Sequence, residues 1–304
     1  MGRRRRSTFA AFVLAGTLAA ALIVPAVRGA PHFVVAKGHL VAPLATPANP
    51  HPGPVPGCRR PGLDCLQTTI RRLHQRENRL GCDHRAVFAT TYRVLTQVMM
   101  ERLQKEPGFF RFPRYLYFED GLFADVYVAN SAAWSRGARV PPAWRIAFET
   151  ARDSDVTAAQ DMLLGINAHV QNDMPFVLAA LGQHTRGGIS RKPDHDRENE
   201  ILAEAYQRVV DTVKRRYDPS VGVTNPDGVP ADDAAGLELV KKWREDVWHN
   251  AERLIATRND PQQHAEVVDD IEQNAAQWAT GIAAEQTPGY RAQRDAYCEA
   301  RLGS

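Results

Sequence analysis

Leu163-Leu164-Gly165-Ile166-Asn167-Ala168-His169-Val170-Gln171-Asn172-Asp173-Met174-Pro175 is the stretch whose reading decides the fold. Met162, Ile166, Val170 and Met174 recur at every fourth position, and the row Asp161, Gly165, His169 and Asp173 runs directly beside them. Residues four apart lie one above another on an α-helix, so the pattern predicts an apolar helix with a histidine and an aspartate aimed at or near the core. A buried imidazole and carboxylate cost free energy unless they are paired, hydrogen-bonded or coordinated to an ion. His169 and Asp173 are therefore the leading candidates for chemistry, as an acid/base pair or as metal ligands. The plainer alternative is a structural histidine held by its neighbouring carboxylate.

Helical periodicity recurs on both sides of this stretch. Ala86 to Leu103 places Val87, Tyr92, Leu95 and Val98 on one side, and Leu122 to Trp134 spaces Phe123, Tyr127 and Asn130 along one face. Pro141-Pro142 opens a helix carrying Trp144 and Phe148. The central helix, from about Val156, is expected to end or kink at Pro175 and to continue briefly from Phe176 to Leu181 before a break at Gly187-Gly188. A long helix follows from about Asp196, and Asp218 to Asp233 reads as a loop. The next helix spaces Leu237, Val240, Arg244, Val247, Ala251 and Leu254 at offsets of three and four, and two more cover about Pro261 to Ala284 and Pro288 to Leu302. No region sustains the alternation of a strand. The fold class is all-α, an irregular multi-helix bundle forming a single domain over residues 58–304.

Residues 1–29 read as an export signal: Arg3 to Arg6 form a basic start, Phe9 to Val24 an uncharged apolar core, and Val24-Pro25-Ala26 or Val27-Arg28-Gly29 a small-residue cleavage site. An N-terminal membrane anchor is the alternative, although Pro25 and Arg28 interrupt the apolar run at about the minimum spanning length. Residues 30–57 are a proline-rich linker, expected to be disordered. The expected location is secreted or extracytoplasmic, with no stable membrane insertion after signal cleavage. The net charge of +3 includes five arginines within residues 1–29, so their removal leaves about −2. That argues against a nucleic-acid partner, which needs a basic surface to neutralise phosphates.

Four cysteines in an exported chain imply two disulfides, with three connectivities open. The preferred pairing is the short loop Cys58–Cys65, leaving Cys82 and Cys298 to tie the last helix to the start of a core helix. Closing so long a loop is worth on the order of 4 kcal/mol. With no Cys-x-x-Cys pair, a cysteine zinc site is not expected.

Other residues have two readings each. Asp194 opens the long helix beside His195 and Asn199, and either reaches a shared site or caps the helix. Asp83 follows Cys82 at a helix start and is either a cap or a rigidly held ligand. Asp120 and Asp125 flank Leu122-Phe123 and are solvated or site residues. Arg244 sits within an apolar stripe, one turn before Trp248, where a buried guanidinium wants a carboxylate. Asp173 and Asp194 are its candidate partners, and with Asn199 and Trp248 it outlines a structural network in which arginine rather than metal neutralises the acids. His249 and Glu252 read as surface residues. No Gly-x-Ser-x-Gly elbow, phosphate loop, His-Glu-x-x-His or dinucleotide fingerprint occurs, so no nucleotide cofactor is expected.

Several pieces taken together carry a resemblance: Asp83 with Phe88, Tyr92 and Thr96; Phe123-Ala124-Asp125-Val126-Tyr127; Pro142-Ala143-Trp144-Arg145 with Phe148-Glu149; Gly165-Ile166-Asn167-Ala168-His169 with Asp173 and Pro175; Asp194 with Asn199; and Arg244 with Trp248. Spread over most of residues 80–255, they resemble a family of exported bacterial proteins, common in actinobacteria, known as domain of unknown function 5995. The Gly-x-Asn-Ala-His-x-x-x-Asp piece is the most specific. The resemblance implies a helical domain and supplies no reaction; at Asp125 the family more often has asparagine. Over this one helix, His-x-x-x-Asp is also similar to a ligand pair of the zinc-dependent phospholipase C and single-strand nuclease fold. The further histidines and the N-terminal tryptophan of that trinuclear site have no evident counterpart here.

The leading expectation is thus an exported helical protein with a mononuclear or dinuclear divalent metal site, zinc first, on His169 and Asp173, joined by Asp194 and Asp83. A metal-bound water would hydrolyse an ester or phosphoester of a small-molecule or cell-envelope substrate. The rival is a non-enzymatic extracellular binding or structural domain with a satisfied core network around Arg244.

Overall fold

Apolar periodicity of 3.6 residues becomes helix throughout the part of the chain that the computed structural model describes, residues 57–222 and 231–302. Residues 1–29, expected to be an export signal, and the expected linker before residue 57 lie outside the described residues. The helices are α1 (Leu63–Leu80), α2 (Ala86–Lys105), α3 (Pro113–Ser135), α4 (Pro142–Asp153), α5 (Ala158–Asn167), a π-helical turn (Ala168–Asp173), α6 (Met174–Leu181), α7 (Lys192–Arg216), α8 (Ala231–Thr257), α9 (Pro261–Ala284) and α10 (Tyr290–Leu302). Among the described residues there is no strand; one isolated bridge joins His184 to Ser190 ahead of α7. The fold is all-α and forms one helical domain.

Two elements are covered on nearly every side and form its centre. α3 buries Tyr115, Leu116, Phe118, Leu122, Phe123, Val126 and Tyr127, and α6 buries Met174, Pro175, Phe176, Val177, Leu178 and Leu181. α6 is apolar all round, as a helix inside a protein is, and the two pack on each other. Around them, α1 packs on α2, α2 on α7, α4 on α9 and α8 on α6. α1 is absent from the helices expected above. α3 also begins at Pro113 rather than Leu122, with proline in its first turn, where the missing N–H has no partner to lose.

At Pro175 the helical chain continues, with a change of hydrogen-bond register just before it. A helical proline removes one N–H and crowds the carbonyl four residues back. Here the wider π-turn stands just before it, shifts the hydrogen-bond register, and lets the chain continue to Leu181. The helix ends after Leu181, as expected, at Gly182, whose φ of 79° favours glycine, ahead of Gly187-Gly188. Single π-turns inside α-helices occur frequently at functional sites.

Cys58 pairs with Cys65 and Cys82 with Cys298. The second bridge fastens α10 to the chain just ahead of α2, where Cys298 joins Val87, Val94, Val210 and Val213 in a separate small core. Beneath the bridge, His84 Nε2 lies 2.8 Å from Asp295, and Arg294 pairs with Asp161. Both disulfides are compatible with an extracellular protein. Among the described residues, no helix is long and apolar enough to cross a membrane.

Candidate functional site

The π-turn carries His169 and Asp173 into the centre of the bundle. His169 Nδ1 lies 2.9 Å from Asp173 Oδ2, which also accepts a hydrogen bond from the Trp144 indole at 2.9 Å. Asp173 Oδ1 accepts from the Asn172 amide at 2.8 Å. Three donors thus satisfy one carboxylate, and they fix the histidine tautomer: Nδ1 carries the proton and Nε2 carries a lone pair. His169 is 2 % exposed, and its Nε2 has no hydrogen-bond partner. Phe123 stacks flat on the imidazole at 3.4 Å between ring centroids, and Phe88, Tyr92, Tyr127 and Trp144 surround it at 5.0 to 5.9 Å. Burial among these rings holds the imidazole below its usual pKa, against the opposing pull of Asp173, so the ring is neutral at pH 7.

The local sequence explains this placement. A Cβ on Gly165 would lie 2.4 Å from the Phe88 ring, so only glycine lets Phe88 come close enough to meet the histidine one turn on. Asn167 donates to the Ala275 carbonyl and accepts from Gln171, whose own oxygen accepts from Asn274, fastening the turn to α9. Phe88, Tyr92, Phe123, Tyr127 and Trp144 come from three helices distant in sequence, α2, α3 and α4.

A second buried polar group lies where α3, α7 and α8 supply Glu119, His195, Glu198 and Arg244. One ligand atom from each of Glu119, His195 and Glu198 lies within 4.8 Å of the others, a buried group that could hold a metal ion. His195 Nε2 donates to the Arg244 carbonyl at 2.9 Å. Arg244 Nη2 donates to Glu198 Oε2 at 2.6 Å and lies 3.2 Å from His195 Nδ1, while its Nε donates to Asn199 Oδ1 at 3.0 Å. Burial, together with the positive charge of Arg244, holds His195 well below the ordinary histidine range. Burial and the neighbouring Glu198 push the Glu119 carboxyl well above its usual value, and Glu119 Oε2 has no hydrogen-bond partner. Burial is also the main cause that pushes Asp120, next along α3, up to about 7.

The residues named from sequence fall into three places. His169 and Asp173 meet as a pair. Asn199, Arg244 and His195 meet in the second group, and the Trp248 ring packs 5.3 Å from His195 while its indole bonds to Glu252. Asp194 and Asp83 join neither. Both oxygens of Asp194 accept backbone N–H groups of Arg111 and Phe112, so it holds the segment leading into α3 from a neighbouring helix and does not stand beside His169. Asp83 accepts the backbone and side chain of Arg85 two residues on. Asp125 anchors the Cys58–Cys65 loop through the Gly57 N–H and Arg72.

The expected partners of Arg244, Asp173 and Asp194, are corrected to Glu198. Among the described residues, the group of three that could bind metal includes neither His169 nor Asp173. Sequence reasoning passed over Glu119 and Glu198, although each left a signal. Glu198 stands three residues after His195, hence on the same helix face, and Glu119 is a charge four residues before Phe123, on the stretch of α3 that buries Tyr115, Leu116 and Phe118.

No curated protein and no solved structure matches this chain. One family model does match, over residues 66–285, which takes in α2 to α9, the histidine cage and the Arg244 cluster alike. With more than half of its length so matched, the chain belongs to the family of unknown function DUF5995.

Proposed function

We propose that this protein is an exported hydrolase of an ester or phosphoester, in which His169 is the general base and Asp173 positions it. The observation that carries the reading is the state of the imidazole: Nδ1 is locked to Asp173, and Nε2, buried and with no hydrogen-bond partner, presents a lone pair. A buried acceptor left unmade costs about 1–3 kcal/mol, a cost expected where a group serves chemistry. In this mechanism Nε2 takes a proton from water as the water oxygen bonds to the carbonyl carbon or phosphorus. The imidazolium is stabilised by Asp173, and its proton passes to the leaving oxygen as the ester bond breaks. The aromatic wall favours an apolar or aromatic group on the substrate, and a substrate reaches Nε2 only when the rings part.

The test is turnover of p-nitrophenyl esters and bis(p-nitrophenyl) phosphate by the full chain. His169→Ala should lower kcat at least about 100-fold, and Asp173→Asn should also impair it while leaving the circular dichroism unchanged. Because burial lowers the His169 pKa, the rate should hold below pH 6.5, the ordinary histidine value, and fall only at more acidic pH. Full activity in His169→Ala would remove the dyad from the mechanism.

A second reading, a non-enzymatic extracellular binding or structural domain, draws on a different observation. Arg244 satisfies Glu198, His195 and Asn199 at once, which is what a purely architectural polar core requires. Absence of turnover on both substrate classes would favour it.

A further inference from the structure

Glu119, His195 and Glu198 have the composition of a divalent-metal site: two carboxylates and an imidazole, all buried, from two different helices, α3 and α7. His195 and Glu198 stand three apart on α7 and so project from one face. The His195 ring is oriented as metal-binding histidines are, with its far nitrogen donating to a backbone carbonyl, that of Arg244, so that the Nδ1 lone pair faces the group. Glu119 Oε2 is a second and independent sign, being a buried carboxylate oxygen with no hydrogen-bond partner on a residue 3 % exposed.

A positive charge already occupies this place. Arg244 Nη2 lies 2.6 Å from Glu198 Oε2 and 3.2 Å from His195 Nδ1, against two of the three residues that would hold a metal ion. The same guanidinium has other partners to hold it aside, since Nε bonds to Asn199 and Nη1 lies 3.5 Å from Met174 Sδ. We propose that a divalent cation of the zinc class binds Glu119, His195 and Glu198 in competition with the guanidinium of Arg244, so that ion entry requires Arg244 to withdraw from Glu198 and His195. Nitrogen and oxygen donors of this kind suit zinc, cobalt and manganese better than calcium or magnesium, which prefer oxygen alone. The inference stands apart from the hydrolase reading, because its readout is ion binding and not turnover.

Cobalt(II), whose visible absorption reports nitrogen and oxygen ligation, is the probe, titrated into the full chain freed of metal by chelator. Arg244→Gln should bind cobalt at least about tenfold more tightly than the unaltered protein, a difference of about 1.4 kcal/mol. Glu119→Gln should lose the absorption in either background. Equal affinity with and without Arg244, unchanged binding in Glu119→Gln, or no binding by any variant would each overturn the proposal. Should Arg244→Gln not fold, thermal melts decide it: zinc should raise the Tm of the unaltered chain and not that of Glu119→Gln, and an equal response or none overturns the inference.

Discussion

His169 and His195 are the same residue, equally buried, at the start of a π-turn and of a long helix respectively, and they have opposite neighbours. His169 leans on a carboxylate, which supports a proton arriving at the ring; His195 leans on a guanidinium, which repels one. Both rings are neutral, yet only His169 keeps a nitrogen without a hydrogen-bond partner, since both nitrogens of His195 meet Arg244. Burial alone therefore does not make a histidine a base. The charge beside it decides whether the ring can accept a proton, and the hydrogen bonds already made decide whether a lone pair is left to do so.

The largest effect expected from breaking this contrast is at Arg244. Arg244→Met leaves Glu198 buried without its counter-charge and should cost about 3–5 kcal/mol of stability by chemical denaturation. A loss confined to a few tenths would show that arginine does not hold the second region together.

Next comes Asp120, beside Glu119 on α3. Its carboxyl is pushed up to about 7, so the folded state keeps the proton while the unfolded chain releases it near pH 3.8. That contribution is fully present below pH 3.8 and is lost as pH rises through about 7. Asp120→Asn should therefore change little at pH 4 and stabilise the protein by at most about 4 kcal/mol at pH 8. Urea titrations at the two pH values read the difference, and equal stabilisation at both would contradict a raised Asp120.

Trp144→Phe sharpens the first region, because it deletes one of three hydrogen bonds to Asp173 while keeping an aromatic ring. It should cost about 1.5–3 kcal/mol, and it should raise the His169 pKa, because the negative charge of Asp173 is then shared with one donor fewer. The imidazole resonance followed by NMR against pH tests this, with an unmoved titration counting against the dyad.

The smallest effect is expected at Asp83, whose half-exposed pairing with Arg85 belongs to neither region. Asp83→Asn should cost less than about 1 kcal/mol and leave both hydrolysis and cobalt binding unaltered.

Helical class, the bundle architecture and the outline of α2, α4, α8 and α9 follow from apolar spacing along the chain, because each such helix must bury one stripe and shows it as a period of 3.6. The His169–Asp173 bond was legible for the same reason, as its two ends are four residues apart on one helix. Arg244 announced its need for an acid by standing in an apolar stripe, but its partner could not be read there. Glu198 reaches Arg244 across two helices 46 residues apart, and a charge on a helix that is elsewhere solvated looks the same in sequence whether or not a neighbour covers it. The same limit hid Glu119, the hold that Asp194 keeps on the segment before α3, and the five rings around His169, which only packing gathers from α2, α3 and α4. Sequence spacing determines what shares a face within one helix; which faces meet, and so which charges neutralise each other, is decided by tertiary structure, because burial and Coulomb energy depend on distance in space and not on separation along the chain.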